Sequence, residues 1–260
     1  MLIDSHCHLD YFRAEELPDV LARARAAGVG EMVTIATRFE DAAKLVALTE
    51  RFANLWCTVG VHPHHVAEAP LPEVDALVAR AAHPRVIGIG EAGLDYFYDR
   101  APRDVQQDGF RRQIRAARGA GVPLAIHARD ADDDVARILA EEHDEGGPFA
   151  FLLHCFSSTR ALAEAGLALG GYISFSGILT FPKSQTLREI ARDIPAERLL
   201  VETDAPYLAP VPHRGKRNEP AFVAHTASVL AECRGVSPAS IATLTTENFR
   251  RLFTKTAPRP

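Results

Sequence analysis

No stretch of the sequence reaches about 18 consecutive apolar residues, so no membrane-spanning helix is expected. Cysteine is scarce and scattered: Cys7, Cys57, Cys155 and Cys233 form no C-x-x-C pair. That excludes a disulfide framework and a cysteine zinc site, and makes a reducing cytoplasm the expected setting. The opening MLIDSHCHLD has polar and acidic residues where a secretory signal needs a basic start and an apolar run. Positive charge is not in excess either. Lys and Arg number 29 against 34 Asp and Glu, a formal net charge of −5, whereas a general electrostatic binder of nucleic acid carries the opposite balance. A nucleic-acid partner must therefore be held at a local site. Neither a membrane nor an obligate protein partner is indicated.

What is present is an ordinary globular composition, 47% hydrophobic and 24% charged, which excludes low-complexity and disordered chains. Eight short apolar runs alternate with longer amphipathic stretches. The strand-like runs are 2–5, 32–37, 56–62, 86–90, 122–127, 149–154, 172–176 and 199–202. Helical patterns cover 14–27, 40–52, 71–82, 105–120, 133–142 and 159–169, then 220–232 and 238–253 after the last strand. Gly28, Gly121 and Gly170 stand where left-handed helix ends are expected. Regular strand–helix alternation calls for a parallel sheet. Eight units in 260 residues fit a single α/β domain, a closed (β/α)8 barrel, with a doubly wound sheet as the rival. Residues 256–260 read as a frayed tail.

The ionisable residues fall at the ends of these runs. His6 and His8 end the first; His62, His64 and His65 follow the third. Glu91 ends the fourth, His127 the fifth and His154 the sixth, and Asp204 follows the eighth. In a barrel, the carboxyl ends of all strands meet at one face, where active sites assemble. Buried charges in that number need partners. Four imidazoles and two carboxylates suit two divalent ions, with zinc, manganese and magnesium all admissible. Glu91 is suited to bridging the pair and Asp204 to acting as the general base for an attacking water. Period-two alternation puts Asp4, His6 and His8 on one face, and Ser5 and Cys7 on the other. Asp4 then either accepts a hydrogen bond from a ligand imidazole or sits as a polar residue on the barrel floor, and Cys7 and Cys155 face outward.

Arg129 and Arg214 read as phosphate clamps near this mouth. Lys216 and Arg217 lie in the same loop as Arg214, while Arg100 and Arg103 read as solvated surface cations. Tyr96, Phe97, Tyr98 and Tyr207 could stack on bases, although Phe97 and Tyr98 serve equally well as loop anchors. The acidic run Asp130–Asp134 reads as the start of a helix.

Seven segments, in order, carry a resemblance: DSHCHLD at 4–10, GVHPH at 60–64, IGEAGLDY at 89–96, IHAR at 126–129, LHCF at 153–156, ETDAPYLAP at 202–210 and RGKRNEP at 214–220. They resemble the TatD-like metal-dependent deoxyribonucleases over nearly the whole chain, to TTENFRRLF at 245–253. The resemblance implies a TIM barrel of the amidohydrolase kind, a pair of divalent ions and hydrolysis of DNA phosphodiesters. It places the ligands on His6, His8, Glu91, His127, His154 and Asp204. His62 and His64 match active-site histidines that are not ligands, and join Tyr96, Arg129 and Arg214 as substrate contacts. Ser157–Ser158 departs from the more usual Ser-Gly, and a stiffer turn without a change of chemistry is expected.

Two other functions compete. An amidohydrolase-type enzyme acting on a cyclic amide, ester or lactone often carries a carboxylated lysine at the end of the fourth strand. Here that position is Glu91, and no lysine lies between Lys44 and Lys183. A non-enzymatic metal-binding or nucleic-acid-binding barrel predicts a broken ligand set, and none of the six residues is missing.

Overall fold

The computed structural model describes residues 1–256. Eight parallel strands follow one another in chain order around a barrel: β1 (Leu2–Cys7), β2 (Val29–Thr34), β3 (Leu55–Val59), β4 (Val86–Asp95), β5 (Leu124–Arg129), β6 (Phe151–Leu153), β7 (Tyr172–Phe175) and β8 (Leu199–Val201). The helices between them are α1 (Leu17–Ala26), α2 (Ala42–Arg51), α3 (Val74–Ala81), α4 (Arg103–Ala120), α5 (Asp132–Gly146), α6 (Arg160–Ala168) and α7 (Gln185–Asp193). After β8 come α8 (Val223–Arg234) and α9 (Pro238–Leu252). Helix α7 was not among the helical patterns read from the sequence. Gly28, Gly121 and Gly170 all have positive φ at helix ends, where a side chain would be strained.

Two apolar layers hold the barrel. Outside, Leu45, Leu77, Phe110, Ile138 and Leu230 pack helices onto the strands. Inside, Ile3, Val33, Ile87, Leu152 and Leu200 meet Phe249, Leu252 and Phe253, so α9 and the residue after it close the end opposite the ionisable groups. The regular part of β8 is short, and bonds just beyond it close the seam with β1. Asp204 N–H donates to His6 O at 2.9 Å, and His8 N–H to Ala205 O at 2.7 Å.

Asp4 clasps the same seam. Its Oδ1 accepts the Thr203 N–H at 2.9 Å, and its Oδ2 the Thr203 hydroxyl at 2.5 Å. It therefore bonds neither candidate imidazole, which corrects the reading of Asp4 as their hydrogen-bond acceptor. Burial pushes its carboxyl up to about 8, against the pull of Thr203. The strict alternation expected of β1 also fails. Asp4 pairs with Met32 but Cys7 with Thr34, three residues against two, which is a β-bulge. Ser5 then bonds Ser174 Oγ at 3.1 Å and Val201 O at 3.0 Å.

Thr256, expected to fray, is instead buried. Its hydroxyl donates to Phe253 O at 2.7 Å, and its carbonyl accepts from Arg250 at 2.9 Å. The rest of the expected tail, 257–260, lies outside the described residues.

Phe249 is fully buried against Phe253 in the barrel floor. Phe249→Ala is expected to cost about 3–5 kcal/mol in denaturant unfolding; a loss under about 1 kcal/mol would show that the floor is held elsewhere.

Candidate metal centre

The strand ends open into a cleft of about 1,630 Å³, whose lining includes His8, His62, His64, Glu91, His127 and His154, together with Asp204. Glu91 lies within β4, His6 near the end of β1 and His127 within β5. His154 directly follows β6. Asp204 stands three residues beyond β8 at φ +58°, a conformation that costs a non-glycine residue energy and recurs at functional sites.

Glu91 is the centre of the arrangement. Its Oε2 lies 3.4 Å from His6 Nε2 and 3.7 Å from His8 Nε2, and Asp204 Oδ1 lies 3.7 and 3.4 Å from the same two nitrogens. Four donors placed tetrahedrally around an ion at ordinary bond lengths stand about 3.4 Å apart. The other carboxylate oxygen, Oε1, faces a second group: His154 Nε2 at 2.8 Å, His127 Nδ1 at 3.1 Å and His62 Nε2 at 3.3 Å. His6 Nε2 and His154 Nε2 are buried without a well-formed hydrogen bond. Orphaned buried nitrogens, with imidazole and carboxylate donors at this spacing, fit divalent ions.

Neighbouring groups set which nitrogen is free in His62, His127 and His154. His62 Nδ1 accepts the His64 backbone N–H at 3.0 Å, so in the neutral ring Nε2 carries the proton. His62 therefore donates toward the cleft and is not free to ligate, although its position alone would allow it. His154 Nδ1 is paired with Glu202 Oε1 at 3.1 Å, and His127 Nε2 with Asp95 Oδ2 at 3.0 Å. Each pairing orients the ring and turns the other nitrogen to Glu91.

Sequence reading missed Asp95 and Glu202, both fully buried. Asp95 Oδ2 also accepts from His64 Nε2 at 2.8 Å. A signal for it existed: Glu91, Gly93 and Asp95 alternate along one strand face, but the strand was ended at Gly90, whereas β4 runs on to Asp95. Gly93 lets β4 pass His127, since a Cβ there would meet the His127 carbonyl oxygen at 2.0 Å. Glu202 stands two residues before Asp204 in the same segment.

Charges follow this packing. Burial raises the Glu91 carboxyl, but the charges of His154 and His62 and the bonds from His127 and His154 outweigh it and hold it well below the usual range. Burial likewise opposes ionisation of Asp204, yet His8 and His6 keep it below an ordinary aspartate. Burial lowers His62 to about 4 despite Glu91, and lowers His6 with help from the charge of His154. For His8, His127 and His154 the facing carboxylates overcome burial and raise the imidazoles.

The outer residues are placed less uniformly. Arg129 borders the cleft, with its guanidinium 4.2 Å from the Phe97 ring centre. Tyr96 borders it too, but its hydroxyl donates to Asp134 at 2.7 Å and Arg103 covers its ring at 4.1 Å, so it anchors the loop. Arg214 is not among the residues lining the cleft; its guanidinium lies 3.9 Å over the ring of Phe181, which does border it. Cys155, expected to face outward, borders the cleft with Sγ 3.0 Å from Ser176 Oγ. Burial and the charges of Asp204 and Glu202 hold its thiol well above the ordinary range, so it stays protonated. The acidic run opens α5, whose first turn holds Asp132, Asp133 and Asp134, but no aspartate caps it: the N-cap position is Ala131, Asp132 accepts from Thr159 N and Oγ1, and Asp134 from Arg137.

A family model described as TatD related DNase matches residues 3–254. An Escherichia coli (strain K12) protein named as an uncharacterized metal-dependent hydrolase, YcfH, is 43% identical over 258 residues, covering 97% of this chain and 95% of its own. A Salmonella typhimurium protein named 3'-5' ssDNA/RNA exonuclease TatD is 36% identical over 245 residues, covering 92% of this chain and 94% of its own. The crystal structure of YJJV, a TatD homolog from Escherichia coli K12, superposes with a TM-score of 0.87 at 31% identity, covering 97% of this chain and 98% of that one.

The raised imidazoles predict a pH effect on chelator-treated protein. A histidine whose folded pKa exceeds its unfolded value of about 6.5 contributes stability that is complete below that pH and lost as pH rises through the folded value. His8, His127 and His154 all act in that direction. The lowered carboxyls of Glu91 and Asp204 contribute nothing variable above pH 6. Melting temperature of the chelated protein should fall between pH 6.5 and 9, and a rise over that range would contradict the pairing described.

Proposed function

Because the chain belongs to the TatD related DNase family, we propose that it is a divalent-metal-dependent phosphodiesterase that cleaves DNA. The observation that carries this reading is the placement of Glu91, one oxygen toward His6, His8 and the opposing Asp204, the other toward His127 and His154. His6, His8, Glu91 and Asp204 would hold one ion and Glu91, His127 and His154 a second, supplying Lewis acidity to the phosphoryl group and acidifying the attacking water. Zinc, manganese and magnesium all suit such donors.

In this reading Asp204 takes the water's proton. Its Oδ1 faces His6 and His8, while among the described residues no donor reaches Oδ2, and the side chain keeps some exposure to the cleft. His62 presents a neutral N–H into the cleft beside Glu91 Oε1 and would donate to a phosphoryl oxygen as charge develops there. His64, fixed on Asp95, borders the substrate's path. A nucleic-acid substrate is favoured by the printed name of the Salmonella relative and by Arg129 beside the exposed aromatic side chains. With an acidic whole and few cations at the mouth, binding is expected to be weak and local.

Chelation should abolish cleavage of end-labelled DNA oligonucleotides, and an added divalent ion should restore it. Full activity in protein shown by elemental analysis to be metal-free would sink the proposal. Asp204→Asn should fold normally yet lose about 10²–10⁴-fold in turnover at saturating metal. Near-normal turnover there would leave Asp204 a ligand only and move the base to His64, since His62 has no nitrogen free to accept a proton.

A further inference from the structure

The cleft, at about 1,630 Å³, exceeds the ~300–1,000 Å³ usual for a small-molecule pocket. Its lining includes aromatic side chains left exposed to water. Phe97 is 55% and Tyr98 49% exposed, with ring centres 4.9 Å apart and planes at 89°. Arg129 lies over both rings, 4.2 and 4.9 Å from their centres, and Arg100 lies 5.5 Å from Tyr98.

These two guanidinium groups differ from others near the mouth. Arg38 is paired with Glu68, Arg103 with Asp99 and Arg217 with Glu16. Among the described residues no carboxylate comes within 4 Å of Arg129 or Arg100, although several aspartates border the same wall. Asp132 and Asp134 are already engaged by Thr159 and by Arg137 and Tyr96. The opposite wall lacks this combination: Tyr11 and Tyr207 are exposed there, but Arg217 beside them is paired.

The aromatic shelf is fastened to the reaction centre by a single carboxylate. Asp95 Oδ1 accepts the Tyr98 backbone N–H at 2.8 Å, while its Oδ2 accepts from His127 and His64. The Tyr98 ring meets His64 edge-on at 5.3 Å. A ligand on the shelf is thus adjacent to the scissile position.

We propose that Phe97, Tyr98, Arg129 and Arg100 form a subsite for one unpaired nucleotide beside the scissile phosphate, the rings taking its base and the guanidinium groups its phosphate. This rests on the phosphodiesterase reading above. A base inside a duplex has both faces covered by its neighbours, so only single-stranded nucleic acid can use the shelf. Stacking and point charges read no base edge, so the subsite is tolerant of sequence.

The test is anisotropy of a labelled single-stranded DNA 12-mer, in chelator so that nothing is cleaved, with variant folding checked by melting. The double variant Phe97→Ala/Tyr98→Ala should raise Kd roughly tenfold or more. The same 12-mer built entirely of abasic nucleotides should bind wild type and double variant equally. Arg129→Gln should lower the slope of log Kd against log salt by about 0.7, one phosphate contact on a single strand. Equal Kd for wild type and the well-folded double variant, or a blunt duplex competing as well as single strands, overturns the subsite. Cleavage is scored separately. A wild type that binds through the shelf but cleaves no phosphodiester with any divalent ion would remove the nuclease reading and leave the subsite standing.

Discussion

Everything at the mouth of this barrel depends on one buried carboxylate. Glu91 has almost no contact with solvent, and imidazoles approach it from both sides. An ionised carboxyl so placed is tolerable only if positive charge surrounds it. That requirement brings together side chains from β1 and β5 and from the segments just after β1, β3 and β6. It also calls for a supporting set, because several of the imidazoles facing Glu91 are turned toward it by a group behind the ring.

Asp95 and Glu202 supply two of those supports, and the His64 backbone supplies a third by fixing His62. The supports separate roles that distance alone leaves mixed. His62 and His127 are both close to Glu91 Oε1, yet one ring is locked as a donor and the other keeps a nitrogen available. For these rings, the hydrogen bond at the far side therefore separates a candidate ligand from a donor.

The barrel was legible in the sequence because the same strand–helix signal repeats eight times, and errors in single boundaries do not erase a repeat. The six candidate ligands come together because they lie at or near the carboxyl ends of β1, β4, β5, β6 and β8, which the barrel topology gathers at one face. What escaped reading depends on local departures or on contacts distant in sequence. The glycines and alanine of GEAGLD lack the β-branched signature of a strand, so β4 looked short and Asp95 looked like loop. The bulge in β1 broke the parity that had paired Asp4 with the imidazoles. Tyr96 meets Asp134, 38 residues away, and Arg214 meets Phe181, contacts that no period within either segment encodes.

The same architecture sets an order on the protein's making. Asp4 is fastened to Thr203 across 199 residues, and the inner layer is sealed by Phe249, Leu252 and Phe253. A chain emerging from the ribosome amino end first can assemble strand–helix units as they appear. It cannot close the ring until β8 has emerged, nor seal the inner apolar layer until α9 follows. Until that moment β1 offers an open edge and the interior an open floor. The nascent chain is then at its most exposed to wrong pairing and to proteases, and loss of the last helix by an early stop codon would fix it in that unsealed state.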